Sequence, residues 1–341
     1  MNHPSWESVF PHPASESALF SHRVASGNLR LGMDVERTPK VAAAAACKLC
    51  GGAAAPFIVR DGFPILKCAA CGFMFALLPE GYDLTALYKR DSYWSEGGEI
   101  HYLSGYDHYW RGVRRYYEAR LPRIRALARG SRMLEIGCAD GKFLAMARRH
   151  GFEVCGIELS QTMRERCRQA LGCPVYASVE ELPRATPPFD CVVAFEVIEH
   201  MADPAAFMRQ VHELTAPGGL AALSTPNFDC EAAVRAPQEF MHFSPPAHVC
   251  YFGAATLRAC VEQAAFSTVA VQACFAGQEV PMPKWMAAML RPLRVGKRRL
   301  RPGGLIGNIL KAYLRRRGLK LPGTPDALRW AETLELYATR E

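Results

Sequence analysis

A glycine-containing turn near the middle of the chain has the residue types of a nucleoside-cofactor site. Residues 133–141 read Met-Leu-Glu-Ile-Gly-Cys-Ala-Asp-Gly, so that an apolar strand ending in an acid runs into a turn from Gly137 to Gly141. Glycine at a strand-to-helix turn lets the backbone approach a ligand where a Cβ would collide. About twenty residues later a second short strand ends at Glu158, where a carboxylate can bind both hydroxyls of a ribose. The pattern predicts a nucleoside cofactor.

The glycine spacing disfavours a nicotinamide dinucleotide. Counted from Gly137, the G-x-G-x-x-G template requires glycine at positions 139 and 142, and the chain has Ala139 and Lys142 there. Alanine is tolerable at position 139 of this turn if that residue keeps a negative φ.

Four segments, in order along the chain, resemble motifs of the class I S-adenosylmethionine-dependent methyltransferases. The resemblance covers roughly residues 105–275, and four ordered motifs are far more specific than one glycine turn. The segments are the glycine turn at 133–141, the adenine-contacting loop at 180–183, the fourth strand with its following turn at 189–200, and the glycine corner at 214–219. The resemblance implies a doubly wound, Rossmann-like α/β fold whose glycine turn lies against the amino-acid end of S-adenosylmethionine.

The resemblance also implies a set of cofactor-binding residues around the turn and the ends of the next strands. These are Glu135, Gly137, Cys138, Ala139, Asp140, Gly141, Glu158, Leu159 and Phe195.

Alternating short apolar runs and amphipathic stretches predict a parallel sheet covered by helices. The predicted strands are residues 131–136, 153–157, 175–177, 190–195, 220–225 and 268–274, and residues 334–339 would be the antiparallel seventh strand typical of the family. The predicted helices are residues 142–150, 161–171, 204–214 and 254–265, and residues 107–129 also have helical character.

Four cysteines near the N-terminus have the spacing of a zinc ribbon. Cys47 and Cys50 form one C-x-x-C-G sequence, and Cys68 and Cys71 form another. Two such turns can direct four thiolates to one point, which is the tetrahedral arrangement of a structural Zn²⁺ site. Four thiolates leave no open position for a substrate, so we expect this metal to be structural.

The segment after the fourth strand, Glu196-Val-Ile-Glu199-His200, contains candidates for the acceptor chemistry. In a helical turn Glu196, Glu199 and His200 would share one face, and two carboxylates with an imidazole can hold a divalent cation. The segment resembles the metal-binding segment of small-RNA 3′-terminal 2′-O-methyltransferases and the matching stretch of ubiquinone-pathway O-methyltransferases. The resemblance makes His248 the best candidate for a further ligand, with His242 next. Mg²⁺ or Mn²⁺ at Glu196, Glu199, His200 and His248 is one interpretation, and a metal-free base role for His200 or His248 beside Glu199 is the other.

Composition and charge predict how the chain is organised. The 341 residues are 50% hydrophobic with thirteen cysteines, and neither a membrane-spanning run nor an export signal is evident, which predicts a reducing, cytoplasmic location. We expect a disordered segment at 1–44, the zinc ribbon at 45–80, an aromatic and helical connector at 81–130, and the methyltransferase domain at 131–341. Within that domain residues 276–330 would be a basic helical insertion before the last strand.

The charge of the predicted insertion limits the kinds of molecule that it could bind. Residues 281–320 contain twelve lysines and arginines and no acid. Basic amphipathic helices can lie on the inner surface of a membrane, contact nucleic acid, or only cover a site, and the sequence leaves all three open. The oligomeric state is not predicted.

Taken together, these patterns predict methyl transfer to a hydroxyl oxygen of a small or lipid-linked acceptor. One alternative is a sugar C-methyltransferase, which the combination of ribbon and methyltransferase domain also resembles. The other is an RNA methyltransferase, although Lys48, Arg60 and Lys67 are the only basic residues between Cys47 and Cys71, a sparse set for phosphate binding.

Overall fold

The chain forms two β-sheets. The computed structural model describes residues 44–89, 102–274 and 332–341. The predicted disordered segment of residues 1–44, apart from Ala44, and the basic insertion of residues 276–330 lie outside these ranges.

The larger sheet has seven strands and is the one that the alternating pattern predicts. Its strands are β5 (Arg132–Ile136), β6 (Glu153–Ile157), β7 (Val175–Tyr176), β8 (Phe189–Phe195), β9 (Thr215–Pro226), β11 (Phe266–Cys274) and β12 (Thr333–Arg340). Their order across the sheet is β11-β12-β9-β8-β5-β6-β7. β12 runs antiparallel to both of its neighbours, β9 and β11, whereas the other neighbouring strands of this sheet are parallel. The prediction of an antiparallel final strand is therefore confirmed.

Helices cover the larger sheet. They are α2 (Tyr102–Leu127), α3 (Lys142–Arg149), α4 (Gln161–Leu171), α5 (Pro204–Leu214) and α7 (Ala254–Glu262), with the short α6 (Glu231–Arg235). The predicted start of α5 is confirmed in detail, since Asp203 accepts a hydrogen bond from the backbone N–H of Ala206 at 2.8 Å and Pro204 follows at the first helical position. α2 begins before the predicted helical stretch and continues through Pro122.

The smaller sheet contains the cysteine pairs. Its order is β1 (Ala45–Ala46), β2 (Ala53–Arg60), β3 (Phe63–Cys68), β4 (Met74–Ala76) and then β10 (Cys250–Tyr251), and all four pairs of neighbouring strands are antiparallel. The fifth strand comes from far along the chain and was not predicted. A short helix, α1 (Leu84–Lys89), follows this ribbon sheet.

The glycine corner that was predicted to precede the fifth strand lies within β9. Strand pairing with β8 begins at Thr215, five residues before the predicted start, and then shifts register, because Phe189 pairs with Thr215 whereas Cys191 pairs with Leu220. Gly218 has φ +73°, a conformation that lets the chain bulge out between these two pairs.

Within the three described ranges, no helix is long and apolar enough to cross a membrane.

Candidate functional site

The candidate site lies where the strand order of the large sheet reverses. β5 and β8 are neighbours, and the following strands proceed to opposite sides of this pair. In doubly wound sheets ligands bind in the crevice beyond the carboxyl ends of the strands at such a point. Glu135 stands next to last on β5 and Phe195 is the last residue of β8, so both lie at the predicted crevice.

The glycine turn adopts a left-handed conformation at three residues. Gly137, Ala139 and Gly141 have φ values of +75°, +46° and +84°. The condition of a negative φ at Ala139 is therefore not met. The backbone N–H of Ala139 donates to Oε2 of Glu158 at 3.0 Å, and this contact holds the residue in a conformation that costs an alanine about 1–2 kcal/mol.

Replacement of Ala139 by glycine is expected to stabilise the protein. Glycine adopts a positive φ without a steric cost, and the gain should exceed the larger entropy that glycine adds to the unfolded state. We expect the free energy of unfolding to rise by roughly 0.5–1 kcal/mol, measured by urea denaturation. Ala145→Gly, inside helix α3, is the matched control and should instead lower stability by about 1 kcal/mol. A destabilised Ala139→Gly variant would contradict this account of the turn.

The two flanking glycines are required by packing inside the domain. A Cβ on Gly137 would come within 2.8 Å of Cγ2 of Val197, and one on Gly141 within 2.4 Å of Sγ of Cys167. Any larger residue at these positions must therefore displace the protein's own side chains before it meets a ligand.

Glu158 is positioned by backbone donors on both of its oxygens. Besides the contact from Ala139, Oε1 accepts from the backbone N–H of Ser160 at 2.8 Å. Each carboxylate oxygen keeps a second lone pair for a ligand hydroxyl. The adjacent Leu159 is half-buried, and its carbonyl accepts a hydrogen bond from Arg164 at 2.7 Å.

Three other predicted cofactor residues have their side chains engaged within the protein. The Cys138 thiol lies against β6, since a Cβ on Gly156 would meet its Sγ at 2.5 Å. Asp140 forms a buried ion pair with Lys142. The ring of Phe195 packs edge-on against Phe143 at 5.0 Å between centroids. For Cys138 and Asp140, contact with a ligand would therefore come mainly from the backbone.

Glu135 is buried and keeps one oxygen for a ligand. Its side chain is almost fully shielded from solvent, and Oε2 has no hydrogen-bond partner among the described residues. Burial, together with the nearby carboxylates of Glu158 and Asp140, raises the pKa of Glu135 well above its usual range. A cationic group at this position would reverse that effect.

Arg120 is a site residue that the sequence did not predict. Arg120 as a whole is 2% exposed. Its guanidinium donates from Nε to Oε1 of Glu335 at 2.7 Å and lies over the Phe195 ring at 4.3 Å from the centroid. Its two terminal nitrogens have no hydrogen-bond partner among the described residues. Arg120 also lies near enough to Glu135 to lower that carboxyl's pKa, against the stronger effect of burial. Two unpaired donors on a buried cation are suited to an anionic group.

Glu199, His200 and His248 come together beyond the end of β8. One ligating atom from each lies within 4.8 Å of the others, and the two imidazole rings are 4.9 Å apart between centroids. We call these three residues the acceptor cluster. The structure thus brings these three candidate residues together, and His242 lies beside them with its ring stacked on His248 at 6.0 Å between centroids.

Backbone carbonyls fix the hydrogen positions on both imidazoles of the acceptor cluster. Nδ1 of His200 lies 2.8 Å from the carbonyl of Ala247, and Nδ1 of His248 lies 2.9 Å from the carbonyl of His242. Because a carbonyl can only accept, each Nδ1 carries the hydrogen and each Nε2 keeps its lone pair. Nε2 of His200 is 4.0 Å from Oε1 of Glu199, an oxygen with no hydrogen-bond partner among the described residues.

The electrostatic environment keeps the acceptor cluster neutral. Burial lowers the pKa of His200, and burial with the nearby His200 lowers the pKa of His248 well below its usual range. Burial and the neighbouring Glu196 carboxylate raise the pKa of Glu199 well above its usual range. Near pH 7 the cluster thus holds two imidazoles able to accept a proton or a cation.

Glu196 is not one of the three ligating residues that come together, although its carboxyl group is close enough to raise the pKa of Glu199. Its φ of +55° turns the chain before a 3₁₀ turn at Ile198–His200, so the helical turn that would align it with Glu199 and His200 does not form. Instead, Oε1 of Glu196 accepts a hydrogen bond from the hydroxyl of Ser224 on β9 at 2.7 Å.

The four ribbon cysteines are brought together as predicted. Sγ of Cys47 lies 3.6 Å from Sγ of Cys71, and Sγ of Cys50 lies 3.5 Å from Sγ of Cys68. A tetrahedron with Zn–S distances of about 2.3 Å has edges of about 3.8 Å, so the residues fit a zinc ion.

The two cysteine turns have the same backbone design. In each turn the backbone carbonyl of the first cysteine accepts a hydrogen bond from the backbone N–H of the glycine that follows the second cysteine. Gly51 donates to Cys47 at 2.9 Å, and Gly72 donates to Cys68 at 3.0 Å. Backbone hydrogen bonds from Cys71 and Ala70 lower the pKa of Cys68 to about 6, whereas burial raises the pKa of Cys47 and of Cys71. A bound cation would favour the thiolate form of all four cysteines.

We expect purified protein to contain about one zinc ion per chain. Elemental analysis of a Cys68→Ser, Cys71→Ser variant should show the metal lost, and the ribbon should become more sensitive to protease because its fold depends on the ion. Cys230→Ser, a buried cysteine outside the ribbon, is the control and should keep its zinc. Full zinc retention in the double variant would contradict this assignment.

Comparison with known proteins shows to which family of domains the central part of the chain belongs. Residues 109–271 match the family model described as a methyltransferase domain. The chain carries a class I S-adenosylmethionine-dependent methyltransferase domain. The seven-stranded sheet, the glycine turn and Glu158 all lie within this domain or pair directly with it.

Curated relatives match the same region. The ubiquinone biosynthesis O-methyltransferase of Ruegeria pomeroyi is 36% identical over 105 residues, which is 29% of this chain and 42% of that protein. The protein of the same name from Rhizobium etli is 37% identical over 113 residues, 31% of this chain and 46% of the relative. The matched part of the chain thus spans less than half the length of these relatives.

Solved structures resemble the methyltransferase fold more distantly. An S-adenosylmethionine-dependent methyltransferase from Archaeoglobus fulgidus is 18% identical with a TM-score of 0.47, covering 70% of this chain and 100% of that one.

Proposed function

We propose that the protein transfers the methyl group of S-adenosylmethionine to a hydroxyl oxygen of a small or lipid-linked acceptor. The observation that carries this proposal is the acceptor cluster: two imidazoles whose Nδ1 atoms face backbone carbonyls lie beside a buried carboxyl group, beyond the end of β8. A hydroxyl must lose its proton as it becomes an ether, and such an imidazole can take it.

Arg120, Glu135 and Glu158, which we call the cofactor half of the site, have charges that complement the amino-acid end and the ribose of the cofactor. S-adenosylmethionine supplies an electrophilic methyl group and ends in a carboxylate and an ammonium. The unpaired nitrogens of Arg120 would bind the carboxylate, and the unpaired oxygen of Glu135 would bind the ammonium. Glu158 would accept hydrogen bonds from the two ribose hydroxyls.

In the acceptor half, the protein's own residues orient the base. The carbonyls of Ala247 and His242 keep Nδ1 of each imidazole protonated, so Nε2 of His200 or His248 receives the acceptor proton. Holding the acceptor oxygen in line with the methyl group would supply most of the remaining rate enhancement.

The surroundings of the ribbon favour a small acceptor over RNA. Each of the three basic residues between Cys47 and Cys71 is already engaged: Lys48 lies over the Phe75 ring at 5.4 Å, Lys67 lies over Phe57 at 5.5 Å, and Arg60 donates to the carbonyl of Gln238. The relatives' name, ubiquinone biosynthesis O-methyltransferase, supports a hydroxyl acceptor.

The acceptor class is tested by incubating the protein with methyl-labelled S-adenosylmethionine and separate RNA and small-molecule fractions from the source cells. Label should appear in the small-molecule fraction and depend on His248. Transfer confined to the RNA fraction would overturn the proposal.

A divalent cation at the acceptor cluster is the second candidate mechanism. Glu199, His200 and His248 offer one carboxylate oxygen and two imidazole nitrogens, a donor set that Mn²⁺ or Mg²⁺ can use, and their ligating atoms are already close together. A cation would bind the acceptor oxygen and lower its pKa. Glu196, which pairs with Ser224, lies outside this donor set in the structure.

Chelation separates the two mechanisms. If the base mechanism operates, a mild chelator that leaves the ribbon zinc in place should not change turnover. If a cation is required, turnover should fall by 10-fold or more, as expected for loss of a Lewis acid, and return with Mg²⁺ or Mn²⁺. Zinc content measured in the same samples is the control, since a stronger chelator would unfold the ribbon.

A further inference from the structure

The zinc ribbon is physically continuous with the acceptor cluster. β4 of the ribbon pairs antiparallel with β10, so that Phe75 lies opposite Cys250 and Met74 opposite Tyr251. β10 begins two residues after His248. The last strand of the ribbon sheet is thus the segment that carries a histidine of the site.

Val249 links the two parts through its backbone. Its carbonyl accepts a hydrogen bond from the N–H of Ala76 in the ribbon at 3.0 Å, and its own N–H donates to the carbonyl of Glu199 at 2.8 Å. Val249 is fully buried. One residue next to His248 therefore bridges the ribbon and the turn that presents Glu199 and His200.

Further contacts lock the same segment. The hydroxyl of Tyr251 donates to the carbonyl of His248 at 2.7 Å, and the ring of Phe252 packs 5.0 Å from that of Phe73, which follows the second cysteine turn. Phe73 in turn accepts a backbone hydrogen bond from Cys68 at 2.8 Å. A path of direct contacts leads from a zinc-binding cysteine to His248.

A second connection reaches His200. Tyr88 lies on α1, which follows the ribbon, and its hydroxyl lies 2.6 Å from Nδ1 of His200 and donates to the carbonyl of Ala247 at 3.0 Å. The N-terminal part of the chain thus contacts His200 directly and both neighbours of His248, Ala247 and Val249.

The glycine turn is held by a different part of the chain. In the described residues its hydrogen bonds are to Ile157, Glu158, the start of α3 and residues of the turn itself, all within the large sheet and its first crossover. Loss of the ribbon fold should therefore affect the two halves of the site differently.

We propose that the zinc ribbon is a positioning element of the acceptor half: its fold around four thiolates sets the position of the segment that carries His248. The catalytic meaning of that position rests on the proposed function, whereas the position itself does not. In this arrangement zinc does not contact the acceptor. Loss of zinc would instead change the position of His248 through β4, Val249 and β10.

Amide hydrogen exchange followed by mass spectrometry tests the coupling without an activity assay. The Cys50→Ser variant should lose the ribbon zinc. Its amide hydrogens in residues 245–253 and in the ribbon should then exchange at least 10-fold faster than those of the unmodified protein. Peptides covering residues 132–160 should be unchanged, and the affinity for S-adenosylmethionine should stay close to that of the unmodified protein.

A matched variant separates zinc binding from simple loss of a side chain. Cys50 is exposed, and a histidine there would give the Cys₃His set that also holds structural zinc. Cys50→His should keep the metal and restore slow exchange at 245–253. Val59→Ala, an exposed residue of β2, should leave zinc and exchange unchanged.

A second variant tests the same coupling if the Cys50→Ser variant does not fold. Ala76→Pro removes the N–H that donates to Val249 while leaving all four thiolates. With zinc retained, residues 245–253 should still exchange faster. Unchanged exchange at 245–253 in a variant whose ribbon peptides exchange freely, or in zinc-bound Ala76→Pro, would overturn the proposal. An absence of methyl transfer to hydroxyls would leave this result intact and would contradict only the proposed function.

Discussion

Replacement of His248 by asparagine is expected to lower kcat by about 10²- to 10⁴-fold, the usual contribution of a general base. The amide of asparagine can still donate to the carbonyl of His242, as Nδ1 of the histidine does at 2.9 Å, but it cannot accept a proton at the Nε2 position. The local structure should therefore survive while the base is lost. Steady-state kinetics with the identified acceptor, together with calorimetry of cofactor binding, measures both effects.

His212→Ala is the control for this experiment. His212 is in the last turn of α5, ahead of β9 and thus at the opposite end of the sheet from the acceptor cluster, and it should be replaceable with little change in kcat. His200→Asn should resemble His248→Asn if His200 is the base. Unchanged kcat in both the His200 and the His248 variants would show that neither imidazole takes the proton.

Replacement of Arg120 by methionine is expected to weaken the binding of S-adenosylmethionine by 100-fold or more. Hydrogen bonds to charged groups contribute about 1.5–3 kcal/mol each, and two donors of Arg120 are proposed to bind the cofactor carboxylate. Methionine keeps the apolar contact with the rings of Tyr116 and Phe195 but carries no donor. Calorimetry with S-adenosylmethionine measures the change in Kd.

Glu335→Gln is the matched control for Arg120→Met. Both variants break the buried ion pair between Arg120 and Glu335, which costs stability because a buried charge loses its partner. Only Arg120→Met removes the donors proposed to reach the cofactor. The control should lower the melting temperature yet bind S-adenosylmethionine nearly as well, and equal affinity losses in the two variants would contradict the proposed role of Arg120.

The sequence was sufficient for features that depend on local pattern. The strands of the large sheet follow from apolar runs, the start of α5 from Asp203 and Pro204, and the cysteine cluster from two identical spacings. The meeting of His248 with Glu199 and His200 followed only from resemblance to a family, since 48 positions separate His200 from His248 in the printed sequence.

Features that depend on distant contacts could not be predicted. Arg120 reads as one of several basic residues on a helix, and its burial depends on a partner 215 positions away, Glu335. The two residues of β10 are too few to show a strand pattern, and they pair with β4 only because the ribbon lies beside them. The positive φ of Ala139 is set by a hydrogen bond to Glu158 across the turn, which composition does not reveal.

The proposed methyl transfer to oxygen is tested most directly by the chemical identity of the product. The protein is incubated with S-adenosylmethionine that carries a ¹³C-labelled methyl group and with the small-molecule fraction of the source cells, and the products are examined by ¹³C NMR. A new signal in the region of methyl ethers, absent with His248→Asn, is the predicted result. A labelled methyl group on carbon or nitrogen, formed at the same rate by the unmodified protein and by His248→Asn, would contradict the account.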